Sequence, residues 1–212
     1  MGGNGPRIDR TTAYLVAHRV WDAIGSYICK TCIAGSYRRG LPTCGDVDIV
    51  VIPRSGASLE TVNEALASVC DDGELESAGE FSIGRVPIGN GDWASINVFY
   101  TTPENWGAML LYATGSRLYN IRFRGIAKSR GFKVSQDGVF RGERRLAGVG
   151  FSERSVCRAV GVGWLPPEAR TGKEIPVTMP FTNLGVTAGA SPHTSPRPSE
   201  RQPEKTGRRR RF

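Results

Sequence analysis

The 212-residue chain is predicted to be an α+β protein. The expected order is a small mixed sheet backed by two helices, a smaller second α+β region, and a disordered basic tail. Three observations carry this. Four apolar runs of strand length are interleaved with two amphipathic stretches in the first hundred residues. From about Trp106 the pattern changes to short helices and one hairpin. After Pro166-Pro167 the composition becomes Pro, Ser, Thr and Gly and ends in Arg208 to Arg211, too few apolar groups to order the segment.

Each element has its own signal. Asp9 to Ile24 reads as a helix, with Leu15, Val16, Val20 and Ile24 at three-to-four spacing and Asp9 or Thr11 as the cap. Tyr27 to Ala34 and Val47 to Ile52 read as strands around a Gly-Ser turn. Ser58 to Cys70 is a second amphipathic helix, capped by Ser58 and striped by Val62, Leu66 and Val69. Phe81 to Ile88 and Ser95 to Tyr100 are two further strands, joined through the turn signal Gly89-Asn90-Gly91-Asp92. In the second region Trp106 to Tyr112 and Arg117 to Arg130 are helical, separated by Thr-Gly-Ser. Phe132 to Phe140 is a hairpin turning at Asp137-Gly138, and Ser152 to Val160 is a last short helix. The segments expected are thus a flexible 1–8, a first subdomain 9–104, a second 105–170 and a tail 171–212.

Apolar residues make up 39% of the chain, enough for a globular body. The net charge is +8, which suits a polyanionic partner. The tail from Thr171 holds eight basic and three acidic residues, so +5 of the +8 lies there. The Gly-rich, polar start has no apolar run of a secretory signal, and no stretch approaches a membrane span. The five cysteines are therefore expected to be reduced and the protein intracellular. Cys29 and Cys32 have CxxC spacing, but no second pair or nearby histidine follows, so they read as structural.

The most informative stretch runs from Gly35 to Asp48, Gly-Ser-Tyr-Arg-Arg-Gly-Leu-Pro-Thr-Cys-Gly-Asp-Val-Asp. Gly35, Ser36 and Gly40 make a flexible turn whose N–H groups can face an anion. Arg38 and Arg39 add forked donors suited to phosphate. Asp46 and Asp48 stand at i and i+2, so on a strand both carboxylates point to one face. Two hard oxygen ligands beside a phosphate cradle suit Mg²⁺ in phosphoryl chemistry.

This string resembles the signature of the family X DNA polymerases, the group typified by polymerase beta. The similarity continues through Tyr112-Ala113-Thr114-Gly115-Ser116, Asn120, Arg124, the Lys128 to Phe132 run, Ser152-Glu153-Arg154 and Gly163 to Pro167, covering about Asp9 to Arg170. The resemblance implies a nucleotidyltransferase palm over 9–104 and a thumb over 105–170. It implies that Asp46 and Asp48 hold metal ions, Mg²⁺ or Mn²⁺. Gly35, Ser36, Arg39 and Gly45 hold the triphosphate of a dNTP. Tyr112, Gly115 and Asn120 line the nucleotide pocket, and Arg124 touches the template strand. The partners implied are a DNA primer–template and dNTP, with no membrane. The expected protein is a monomer located with DNA, in the nucleus if the host is eukaryotic. Arg208, Arg209, Arg210 and Arg211, with Arg197, Arg201 and Lys205, are expected to contact phosphates or to direct targeting.

One departure bears on catalysis. The family uses a third aspartate seventeen residues before the threonine of Thr-Gly-Ser; here that position is Asn97, between Ile96 and Val98. Ser95 stands where an arginine is usual. An asparagine brings no charge and takes no proton, so turnover is expected to be slow. Asp92, the nearest spare carboxylate, is five residues away and on a regular strand faces the other side. Ala113 replaces the family's usual phenylalanine, which implies a roomier sugar pocket. The expected function is a minimal, slow DNA polymerase. The alternatives are an inactive DNA- or nucleotide-binding relative and a nucleotidyltransferase with a different acceptor.

Overall fold

The computed structural model describes residues 6–179. Strand β1 (Ile8–Asp9) pairs with β3 (Thr43–Cys44), and α1 (Arg10–Ile24) follows β1 directly. Asp9 is the cap: its Oδ1 accepts the N–H of Thr12 at 2.7 Å. The buried stripe of α1 is Ala13, Val16, Ala17, Val20 and Ile24. Leu15, expected on that stripe, is 57% exposed. Ala13 and Ala17 complete the buried stripe instead, both fully buried.

The main sheet has the order β2-β4-β7-β6-β5. Its strands are β2 (Ile28–Ile33), β4 (Val47–Pro53), β5 (Leu75–Ala78), β6 (Phe81–Gly89) and β7 (Asp92–Tyr100). Only β4 and β7 run parallel, so the sheet is mixed. The four-residue turn α2 (Gly35–Arg38) and the helix α3 (Leu59–Ala67) flank β4 in sequence. Ser58 caps α3 by accepting the N–H of Thr61 at 3.1 Å. The β6–β7 turn places both Asn90 (φ 55°) and Gly91 (φ 77°) in the left-handed region, as a tight hairpin demands. Strand β5 has no counterpart in the sequence reading. Its residues Leu-Glu-Ser-Ala are almost all exposed, so no alternation marks them.

The two faces of β4 go to different cores. Val47, Ile49 and Val51 join Val16, Val20, Val62, Leu66, Ile96 and Val98 under α1 and α3. Val50 and Ile52 pack instead with Trp106, Met109 and Leu110 of α4 (Trp106–Thr114). This helix is buried nearly all round, because its other side meets a second core. That core gathers α5 (Arg117–Ser129), β9 (Gly138–Arg141) and α6 (Glu153–Val160). Gly107 is required there: a Cβ would overlap the backbone of Ser152. The hairpin of β8 (Lys133–Ser135) and β9 turns at Gln136-Asp137, one residue earlier than expected, and β10 (Arg144–Arg145) completes a three-stranded sheet.

Ordered packing continues past Arg170, where the tail was expected to begin. Lys173 accepts a hydrogen bond from Arg122 on its carbonyl at 2.6 Å, Ile175 packs on the second core, and Val177 bridges to Val162. Arg208 to Arg211 lie outside the described residues.

Candidate active site

The site lies where α4 stops covering the sheet. Asp48, on the α4-facing side of β4, is left beyond the end of that cover, with Asp46 just ahead of the strand. The parallel register sets Asn97 of β7 directly beside Asp48. Asn97 Nδ2 donates to Asp48 Oδ1 at 2.9 Å and to Asp46 Oδ2 at 3.2 Å. Burial pushes the Asp48 carboxyl up to about 7, and neighbouring Asp46 pushes the same way; the Asn97 hydrogen bond and Arg39 oppose them.

The turn expected to be flexible is a helical turn, and it passes directly over this carboxylate. Gly35 has φ +55°, and a Cβ there would overlap Asp48 Oδ2, so only glycine fits. Ala34 N–H donates to the Asp48 carbonyl at 2.7 Å. Arg10 holds the turn from α1, donating to the Tyr37 carbonyl at 2.6 Å and lying 4.1 Å over the Tyr37 ring. The first N–H groups of such a turn have no intrahelical partner. Ser36 Oγ is buried without a hydrogen-bond partner. A buried hydroxyl with no partner is an exception that asks for one.

The two arginines of the turn part company. Arg39 donates to the Thr114 carbonyl and is attracted by Asp48 and Asp46. Arg38, expected to serve phosphate, is committed elsewhere. Its fork donates to Glu153 Oε1 and Oε2 at 2.8 and 2.9 Å and to Thr114 Oγ1 at 2.7 Å. Glu153 also accepts from Arg170 at 2.8 Å, and Arg170 is fully buried. Burial alone would raise the Glu153 carboxyl, but the hydrogen bonds from Arg38 and Arg170 outweigh it and hold the group at about 2. This cluster joins α2 to α6 and the chain after it.

Of the remaining expected residues, Tyr112, Asn120 and Arg124 line one small cavity. A Cβ on Gly115 (φ +68°) would come 3.2 Å from Arg39 Nη1. Tyr112 is 41% exposed, and its ring meets Phe99 edge-on at 6.3 Å. Asn120 Nδ2 donates to the Tyr112 carbonyl at 2.8 Å, and Arg124 Nε donates to the Asn120 carbonyl at 3.2 Å. Ala113 packs partly buried against the Val50–Ile52–Trp106 cluster. Gly45 faces Arg7, whose Nη1 would be 3.4 Å from an added Cβ. Arg7, Arg10, Glu153 and Arg170 went unassigned in the sequence, because isolated charges give no local signal of what they meet. Asp92 opens β7 in the phase of the buried Ala94 and Ile96, opposite to Asn97. Cys29 and Cys32 are free thiols on β2.

Comparison with known proteins agrees with this geometry. The family described as DNA polymerase beta palm matches residues 6–80, and DNA polymerase beta thumb matches residues 109–171. The DNA polymerase/3'-5' exonuclease PolX of Bacillus subtilis (strain 168) is 30% identical over 151 residues, 71% of this chain and 26% of its own length. DNA polymerase lambda of Rattus norvegicus is 29% identical over 124 residues, 53% of this chain and 21% of its own. DNA polymerase lambda of Arabidopsis thaliana is 29% identical over 162 residues, 64% of this chain and 31% of its own. The chain thus spans between a fifth and a third of these relatives.

Proposed function

Because this chain belongs to the family X DNA polymerases, with the palm and thumb of the polymerase beta type, we propose that it transfers nucleotidyl groups from dNTP to the 3′-hydroxyl of a DNA primer, slowly. The observation that carries this reading is the pair of carboxylates, Asp46 and Asp48, bridged by Asn97, with the Gly35 turn packed directly on Asp48. Asp46 and Asp48 would hold Mg²⁺ or Mn²⁺, which when bound would neutralise charge on the phosphate oxygens.

The chain's own groups do the rest. Ser36 and Arg39 bind and orient phosphate oxygens. Tyr112 and Asn120, tied to each other through the Tyr112 carbonyl, place the sugar and base. Arg124, exposed and one helical turn beyond Asn120, meets the template strand. Position 97 supplies no general base, and loss of one costs about 10²–10⁴ in rate. Among the described residues no helix is long and apolar enough to cross a membrane.

The test is primer extension on a primer–template with Mg²⁺ or Mn²⁺, beside Asp48→Ala. Slow extension that Asp48→Ala abolishes is expected. Equal extension by the two proteins would overturn the assignment. A second reading, a nucleotide- and DNA-binding relative without turnover, is favoured by the Asn97 hydrogen bonds to both carboxylates. It predicts nucleotide binding that needs Asp48, with no extension.

A further inference from the structure

We infer that this palm seats one divalent cation with its nucleotide rather than two, because the Asn97 amide occupies, as a donor, the place between the two carboxylates. The inference rests on the reading that Asp46 and Asp48 hold a cation with dNTP.

The backbone fixes where Asn97 points. Its strand is paired on both sides, to Asp48 of β4 and to Ile83 of β6. Its neighbours Ile96 and Val98 are fully buried on the opposite face. A slip by one residue would turn those two out of the core, so the side chain stays on the carboxylate face. There the amide nitrogen is 2.9 Å from Asp48 Oδ1 and 3.2 Å from Asp46 Oδ2. Both of its hydrogens are used, one on each carboxylate. Turning the amide over would set Oδ1 against two carboxylate oxygens, acceptor against acceptor. Electrostatics therefore decides which way the amide faces.

Nothing nearby replaces the missing charge. Among the described residues no group of three or more His, Cys, Asp and Glu could hold a metal ion. Asp92 faces away from Asn97 at the far end of the strand. Ser95, two residues back on the same face, is neutral. Two carboxylates balance one divalent charge. A second ion would need the amide to release both hydrogen bonds and would gain only a neutral oxygen. Hard cations are selected by the number and charge of their oxygen ligands. The ion that stays would be the one shared with the phosphates of the nucleotide.

The same argument fixes what Asn97→Asp does without metal. It removes two hydrogen bonds and adds a third carboxylate to a partly buried pair, so the protein is less stable until a cation binds.

The experiment counts ions. The full chain is equilibrated with Mn²⁺ and a non-hydrolysable dNTP analogue, and the ions and nucleotide retained with the protein are measured. One Mn²⁺ per nucleotide is expected for the natural chain and two for Asn97→Asp. Thermal unfolding of the same proteins should show Asn97→Asp melting lower without divalent ions and gaining more from Mn²⁺ than the natural chain. Two ions per nucleotide in the natural chain would overturn the inference while leaving the nucleotide site in place. No retention of either would overturn the site as well. One ion in both proteins, or an equal thermal response to Mn²⁺, would remove Asn97 as the cause. The count on the natural chain decides the inference even if Asn97→Asp does not fold.

Discussion

Arg38 and Arg39 are consecutive, yet they serve two acidic centres wired in opposite ways. Around Glu153 the carboxylate is saturated with charged donors: Arg38 grips both of its oxygens, Arg170 adds a third donor, and Thr114 takes the spare N–H. Around Asp48 the charges outnumber their partners. Two carboxylates share one neutral amide, and Arg39 spends a donor on the Thr114 carbonyl. The first centre holds Glu153 at about 2, the second lets Asp48 rise to about 7. Saturated ion clusters hold elements together, whereas a cluster short of countercharge is ready for a charged ligand. The comparison also shows why one dipeptide cannot be given one role.

The strongest way to break it is Glu153→Ala. This leaves Arg170 fully buried with no carboxylate and frees Arg38 from its main partner. Removing one partner of a buried ion cluster costs about 3–5 kcal/mol. Denaturant unfolding should show a loss of that size, with Glu153→Gln in between because it keeps acceptor oxygen. A loss under about 1 kcal/mol would mean that the cluster is not structural. The same group sets an acid limit. A carboxyl held at about 2 when folded and near 4.5 when unfolded stabilises the fold above about pH 4.5. That contribution is lost as pH falls from there through about 2. Glu153→Gln should flatten the stability profile over that window.

Next comes Arg39→Ala, which tests the unsaturated side. A hydrogen bond to a charged group is worth about 1.5–3 kcal/mol. Affinity for dNTP in Mn²⁺ should therefore fall tenfold to about a hundredfold by titration calorimetry. Arg38→Ala should instead lower the melting temperature first. If Arg38→Ala weakens nucleotide binding as much as Arg39→Ala at equal stability, the division of labour is wrong.

A smaller effect of opposite sign is expected for Asp48→Asn. It removes one of two crowded like charges, so the metal-free protein should gain about 0.5–2 kcal/mol in denaturant unfolding while losing cation-dependent nucleotide binding. A destabilised variant would show that the carboxylates are already balanced.

What could be read in the sequence follows from distance along the chain. Gly35, Asp46 and Asp48 fall within fourteen residues, and the two-residue period of a strand was enough to place both carboxylates on one face. Asn97 was legible by its interval from Thr114 and by its apolar neighbours. The fate of Arg38 was not, because its partner Glu153 is 115 residues away. Spacing and hydropathy put Leu15 on the inner stripe, whereas the buried stripe runs through the less hydrophobic Ala13 and Ala17. The Gly35 turn looked flexible because glycine allows freedom, but here glycine is needed for lack of room above Asp48.

The smallest expected effect belongs to Asp92→Asn, and it guards the whole comparison. If any carboxylate secretly repaired the charge deficit at Asn97, Asp92 would be the candidate by proximity in sequence. The strand argues against it in two ways. Five residues at roughly 3.4 Å each put its backbone about 17 Å from Asn97. Its phase is that of Ala94 and Ile96, which point into the core under α1, while Asn97 shares its face with Ser95 and Phe99. Asp92 itself is exposed at the turn, paired by backbone only to Gly89. An exposed substitution of this kind changes stability by about 0.5 kcal/mol or less. Ion count, nucleotide affinity and extension rate should all stay within about twofold of the natural chain. A tenfold loss in any of them would mean that Asp92 reaches the carboxylates through a rearranged turn and supplies the third carboxylate that Asn97 does not.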